Sequence, residues 1–213
     1  MAIRIEVLNS NTDEIPYREL TEVLNTAYSD WKKEQLEYKA VNQTEEDTRN
    51  RIKGGWCMIA YVEEKIVGTM TLHVVEKVKR KWYEDKKYIT LTQLAVLQEY
   101  RDSGVLLRMM FYLKNCIIKK DKSIESLIGD TSTEAHELLS TYLKVGAQVV
   151  DVISWHGTNY YSYILRYPFT GQCYSDKYCR YKVKLAKLRC YGMYKKTGEL
   201  RTIFRVGKKI IRI

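Results

Sequence analysis

The amino-acid sequence predicts a mixed α/β protein of the α+β kind: one mixed β-sheet flanked by helices, in the order β-α-α-β-β-β-α-β-α-β-β, followed by a basic C-terminal extension. Three observations predict it. Stretches of strand character alternate with stretches whose apolar residues recur at helical spacing. The stretch from Tyr88 to Leu97 is nearly apolar from Leu94 onward, the mark of a strand covered on both faces. The chain has 213 residues, 45% of them hydrophobic, enough for one domain with a sizeable core.

The elements follow in order. Ile3 to Leu8 reads as a short strand, and Thr12-Asp13-Glu14 with Pro16 as a helix-start signal. Leu20, Val23, Leu24, Ala27, Tyr28 and Trp31 then form one apolar stripe. A more polar helix fits Thr44 to Ile52, stopped by Gly54-Gly55. Trp56 to Val62 and Ile66 to Val75 read as a hairpin around Glu63-Glu64-Lys65, and Tyr88 to Leu97 as the third strand. Leu106, Met109, Met110, Leu113, Cys116 and Ile117 give a helix with one apolar face, and Leu127 and Ile128 belong to a buried strand. Thr131-Ser132-Thr133-Glu134 has the pattern of a capping box. The helix it would open carries Ala135, Leu138, Leu139, Tyr142 and Leu143 on one face, with Gly146 as its C-terminal cap. Val149 to Trp155 and Tyr160 to Tyr167 read as a last strand pair.

Charge divides the chain. Residues 175–213 hold 13 basic and 2 acidic residues, which leaves 23 basic and 24 acidic for the rest, so the net charge of +10 belongs to the tail. The domain expected from this is 1–169, with 170–213 as the extension. Arg180 to Arg189 is compatible with a basic amphipathic helix on an anionic membrane surface, and Tyr191 to Ile213 with a small β meander. A solvated extension or a dimer-forming arm is the plainer alternative. No pattern of a nucleic-acid-binding module is present, so no nucleic-acid partner is expected. The N-terminus has no signal-peptide layout and no apolar run is long enough for a membrane span, so a cytoplasmic location is expected. Five cysteines and three histidines show no metal-ligand spacing, and no metal is expected.

The stretch Gln98-Glu99-Tyr100-Arg101-Asp102-Ser103-Gly104 joins a strand to a helix. A helix N-terminus behind a glycine-bearing turn is an anion cradle, although one glycine alone is a weak signal. The turn is neither a P-loop nor a dinucleotide-binding fingerprint. With Leu94-Ala95-Val96 before it and Tyr100-Arg101 and Gly104 within it, it resembles motif A of the GNAT acyltransferase superfamily. "LSTYLKVGA", Leu139 to Ala147, is similar to that family's motif B, with Tyr142 on the motif's tyrosine, and Asp130-Thr131 matches an Asp-Thr of some bacterial branches. The order of elements from Ile3 to Pro168 is also GNAT-like. The chain departs from the pattern at Gln98, where many members have proline, at Asp102, at Leu106 and at Ala147.

The resemblance implies an acetyl-CoA-dependent N-acetyltransferase acting on a primary amine of a small molecule, an amino sugar among the acceptors considered. It implies a cleft beside the central strand, with the pantetheine arm pairing with Leu94, Ala95 and Val96. The pyrophosphate would rest on the N–H groups of Asp102, Ser103, Gly104, Val105, Leu106 and Leu107, with Arg101 leading in. A neutral amine would attack the thioester while a backbone N–H stabilises the oxyanion. Tyr142 would protonate the leaving thiolate, or it is a core aromatic. Asp130 would serve as base, or it caps the following helix. His73 reads as a structural strand histidine, His136 as a solvated one in a first helical turn, and His156 as part of a turn. The aromatic strand Tyr160, Tyr161, Tyr163 and Tyr167 lines an acceptor pocket or packs the sheet. Asp102 and Leu106 also suit a non-catalytic acyl-CoA-binding protein on the same fold, and the tail suits a membrane-surface module.

Overall fold

A computed structural model of the chain describes residues 2–29, 38–76, 87–118, 121–155, 158, 160–169, 184, 203–206 and 209–212. The chain forms two compact units, the first ending at Glu125 and the second taking up the chain from Ser126.

In the first unit, four antiparallel strands lie in sequence order: β1 (Ile3–Asn9), β2 (Trp56–Val62), β3 (Lys65–Val75) and β4 (Tyr88–Val96). Helices α1 (Tyr17–Tyr28), α2 (Glu45–Ile52) and α3 (Val105–Tyr112) belong to the same unit, and α3 runs on as a π-helical turn over Leu113–Ile118. α1 starts later than the Thr-Asp-Glu signal suggests. Asp13 instead takes the Asn9 N–H at 2.6 Å, which closes the turn after β1, and Pro16 stands at the cap of α1 with no side-chain bond. Trp31, expected at the end of that helix's stripe, lies outside the described residues. α2 opens on a capping box formed by Thr44 and Asp47 in both directions. The Thr44 N–H and hydroxyl on its carboxylate hold Asp47 below the usual carboxylate range.

Core packing sets the two faces of this unit. Ile15, Leu20, Ile52, Cys57 and Ile59 form one buried cluster, and Val23, Leu24, Ala27, Ala95 and Leu97 another under α1. Burial pushes the Cys57 thiol up to about 11. Gly68 on β3 allows α3 to approach: a Cβ there would stand 3.1 Å from the Ala95 carbonyl and 3.2 Å from Val105. Val105, absent from the expected apolar face of α3, is buried together with Met109 and Leu113.

The second unit has β5 (Ser126–Ser132), α4 (His136–Lys144), β6 (Gln148–Ser154) and β7 (Tyr161–Pro168). β7 pairs antiparallel with both β5 and β6, so it is the middle strand of these three. Here one expectation fails. Thr131 and Ser132 do not begin a helix; they end β5, paired with Tyr163 and Ser162. The Thr133 N–H goes to the Tyr161 carbonyl, the Ser132 hydroxyl accepts from the Glu134 N–H, and α4 starts at His136 without a side-chain cap. Ladder bonds to a distant strand displace the local capping pattern. The other end of α4 is as expected. Gly146 adopts φ +95°, and the Gly146 and Ala147 N–H groups bond the Leu143 and Tyr142 carbonyls, a Schellman closure. Leu143, placed on the buried face by the sequence reading, is 45% exposed.

A further hairpin, β8 (Ile203–Val206) with β9 (Lys209–Arg212), lies within the expected meander. The basic stretch Arg180 to Arg189 lies outside the described residues except for Lys184.

Candidate active site

The site is built here from β4 and the turn behind it. β4 leaves its ladder with β3 for one step: Thr69 faces Ala95, but Thr71 already faces Thr92, so Gln93 and Leu94 stand opposite the single residue Met70. Gln93 has φ +51°, a left-handed conformation inside a strand. The Leu94 carbonyl accepts a hydrogen bond from the Tyr28 hydroxyl at 2.8 Å, and the Val96 carbonyl one from Arg101 Nε at 3.3 Å. The ladder resumes at Ala95, and beyond Val96 the Leu97 N–H reaches the Val67 carbonyl.

Arg101 is exposed, and its fork is occupied. Besides Val96 it donates through Nη2 to the Ala27 carbonyl at 2.8 Å, in the last turn of α1. A cation at that helix end also suits the dipole. Arg101 therefore ties the end of β4 to the end of α1, while its charge stays at the entrance to the turn. A second tie comes from the β2–β3 hairpin. Lys65 meets Glu99 at 3.0 Å and lies over the Tyr100 ring, and the Glu99 carboxylate pushes the Lys65 ammonium up.

The turn then takes two left-handed steps, Asp102 at φ +61° and Gly104 at φ +87°. A Cβ on Gly104 would meet no atom within 4 Å, so its glycine answers to backbone conformation alone. Gly104 is the N-cap of α3, and the first helical bond runs from the Arg108 N–H to its carbonyl. No side chain caps this helix and its first turn has no acidic residue. Among the described residues, α1, α2 and α4 each carry at least one, with Glu19, Glu45 and Glu137 among them. The N–H groups of Val105, Leu106 and Leu107 thus point out of an uncompensated positive helix end.

In the second unit, Asp130 stands two residues before the end of β5. It is exposed and accepts the Trp155 indole N–H at 3.0 Å, so the expected capping role is not the one it plays. Tyr142 sits half-buried in the last turn and a half of α4, its carbonyl held by the C-terminal closure. Tyr160 and Tyr161 are buried, while Tyr163 and Tyr167 are only partly covered. Burial, with the Glu134 carboxylate adding, pushes the Tyr163 phenol up.

His73 Nε2 lies 3.3 Å from the Lys53 carbonyl, and its ring leaves room at Gly55 only for a hydrogen. His136 is exposed at the start of α4. His156 lies outside the described residues. Among the described residues no group of three His, Cys, Asp or Glu side chains could hold a metal ion, and no helix is long and apolar enough to cross a membrane. Sequence reasoning missed Gln93, Thr71 and Tyr28. The available signal was a glutamine one residue ahead of the apolar "LAV" run.

Known proteins supply the remaining comparison. The family model described as Acetyltransferase (GNAT) family matches residues 17–138, from α1 into α4. No curated protein matches the chain. Among solved structures, an N-acetyltransferase from Staphylococcus aureus Mu50 superposes with a TM-score of 0.59 at 14% identity, over 79% of this chain and 99% of that one. The ribosomal-protein-S18-alanine N-acetyltransferase from Escherichia coli gives 0.59 at 12% identity, over 81% and 97%. The PaiA N-acetyltransferase from Thermoplasma acidophilum in complex with coenzyme A gives 0.53 at 16% identity, over 79% and 99%. These likenesses show the fold, a mixed α/β fold of the GNAT kind, and the family match covers more than half of the sequence. The chain belongs to the GNAT acetyltransferase family.

Proposed function

We propose that the protein is an N-acetyltransferase that moves an acetyl group from acetyl-CoA to a primary amine of a small molecule, within a ternary complex. The observation that carries the reading is the uncapped, acid-free start of α3 behind two left-handed residues. That arrangement offers the Val105, Leu106 and Leu107 N–H groups to an anion of pyrophosphate chemistry, and the family match lends the anion its identity. Asp102, Ser103 and Gly104 complete the wall of this cradle, and Arg101 supplies charge at its entrance.

Acetyl-CoA would supply an activated acyl thioester. The chain's own groups would do the rest. The pantetheine arm would align along Leu94, Ala95 and Val96. A backbone N–H at the register break of β4 would take the developing oxyanion. Tyr142 would give a proton to the leaving thiolate, and Asp130, held by Trp155, would accept the one released by the amine. An amino sugar is one acceptor that a screen should contain. Residues 170–213 would form an extension to a 1–169 catalytic domain, with an anionic surface or a second copy of the chain as its candidate contacts.

The test is acetyl transfer itself: release of free CoA thiol followed with acetyl-CoA and a panel of primary amines, amino sugars included. The reading expects amine-dependent release that falls in the Tyr142→Phe variant. Binding of acetyl-CoA with no release from any amine would favour a non-catalytic acyl-CoA-binding protein, the reading that Asp102 motivates by placing a negative charge in the turn.

A further inference from the structure

We propose that the side-chain amide of Gln93 is a catalytic donor, hydrogen-bonding the acyl carbonyl oxygen of the bound thioester. The proposal rests on the reading of the cofactor site given above.

Gln93 is 4% exposed. Among the described residues, three non-glycine positions have positive φ; Glu63 and Asp102 lie in turns, and Gln93 alone lies within a strand. The register break between β3 and β4 falls at the same place. Such a conformation is costly for a residue with a side chain and persists where its surroundings require it. One end of the amide is fixed: Thr71, itself 1% exposed, donates through its hydroxyl to Gln93 Oε1 at 2.8 Å. The other end is not. Nε2 is buried with no hydrogen-bond partner. A buried donor left unmade is expensive, and a catalytic role is one explanation for keeping it.

The position says which ligand atom that is. With a pyrophosphate on the start of α3 and the arm laid back along Val96, Ala95 and Leu94, the arm's reactive end arrives one residue further on, at about 3.3 Å per residue. That residue is Gln93. As the amine lone pair attacks, the N–C bond forms, the C–S bond breaks, and the carbonyl electrons reside briefly on oxygen before they return. The sulfur leaves as thiolate and is protonated; the amine nitrogen loses its proton. An N–H held by Thr71 from the other side of the amide meets that oxygen without reorganising, and its bond strengthens as negative charge accumulates. It supplements the backbone donor of the strand rather than replacing it.

The experiment compares dissociation constants for acetyl-CoA and CoA by calorimetry, on the full chain and on Gln93→Met and Gln93→Glu. Methionine keeps the volume without a donor. Glutamate keeps the acceptor for Thr71 but presents lone pairs in place of the N–H. The wild type should prefer acetyl-CoA over CoA by roughly two- to tenfold, the worth of one net hydrogen bond. Both variants should lose that preference while binding CoA as the wild type does, which also certifies their fold. Absence of the preference in the wild type overturns the proposal, as does its survival in the variants. An equal weakening of both ligands would make Gln93 a packing residue and overturn it as well. If the wild type bound neither ligand, the cofactor site itself would fall; if it bound both equally, only the Gln93 donor would.

Discussion

The turn from β4 into α3 and the turn from β5 into α4 are the same device, a strand running into a helix, and they are built in opposite ways. The first is made by local backbone chemistry. Asp102 and Gly104 take left-handed conformations, Arg101 braces the strand end, and the helix begins at once behind Gly104. The second is made by distant pairing. Thr131 and Ser132 are held to β7, and α4 waits until His136. The difference teaches where binding and proton transfer can be assigned. The first turn leaves three N–H groups at an open helix start, whereas the second spends its polar groups on the fold, and the roles proposed for Asp130 and Tyr142 rest on their side chains.

That contrast makes the two regions separable by mutation. The largest effect should come from the second. Tyr142→Phe should lower kcat by about 100-fold, the smaller end of what a general acid contributes, with acetyl-CoA affinity unchanged; steady-state kinetics beside a binding titration checks it. In the first region, Gly104→Val forces a β-branched residue into φ +87°. Its strain, about 1–2 kcal/mol, should lower the melting temperature by a few degrees and weaken acetyl-CoA by about tenfold or more, because the cradle cannot keep its shape. A loss of kcat in the glycine variant with binding intact, or of binding in the tyrosine variant with kcat intact, would break the comparison.

Two smaller effects sharpen it. Thr44→Ala removes a working capping box and should cost about 1 kcal/mol by denaturant unfolding. Glu134→Ala removes the matching residue of a pattern the fold does not use, and should stay within about 0.5 kcal/mol. The smallest effect concerns pH. Lys87 lies 2.8 Å from Asp121 and 3.2 Å from Glu76. Lys87, with Ser123 adding, holds the Asp121 carboxyl down at about 2. Because the folded pKa lies below the unfolded one, this pair's contribution is present above the ordinary carboxylate range near 4 and is lost as pH falls toward 2. Melting curves of the wild type and Lys87→Met should therefore differ slightly near neutrality and converge as the pH approaches 2.

How much of this was legible in the sequence follows the same division. Strand and helix periods locate β1 to β7 and α1 to α4, since burial of one face writes the pattern directly. Gly54, Gly104 and Gly146 all take the positive φ that their places after or before helices suggest. The Thr131–Glu134 pattern misleads because a capping signal is local, while the pairing of Ser132 with Ser162 joins residues thirty positions apart. The contacts of Gln93 and Tyr28 were invisible for the same reason: the partners are Thr71 on another strand and the Leu94 carbonyl, 66 residues from Tyr28. The family model reaches residue 138, short of Tyr142, so the chemistry of the second region rests on fewer matched residues than the binding chemistry of the first.

The most direct test of the central claim is a thermal-shift titration of the full chain with acetyl-CoA, CoA and ATP. Ligands that bind the native state raise the melting temperature by mass action. The account predicts a concentration-dependent rise with acetyl-CoA and with CoA, absent with ATP and displaced to about tenfold higher ligand concentration or more in Gly104→Val. No rise with acetyl-CoA up to millimolar concentration would contradict it, and the open start of α3 would then be a turn without a ligand.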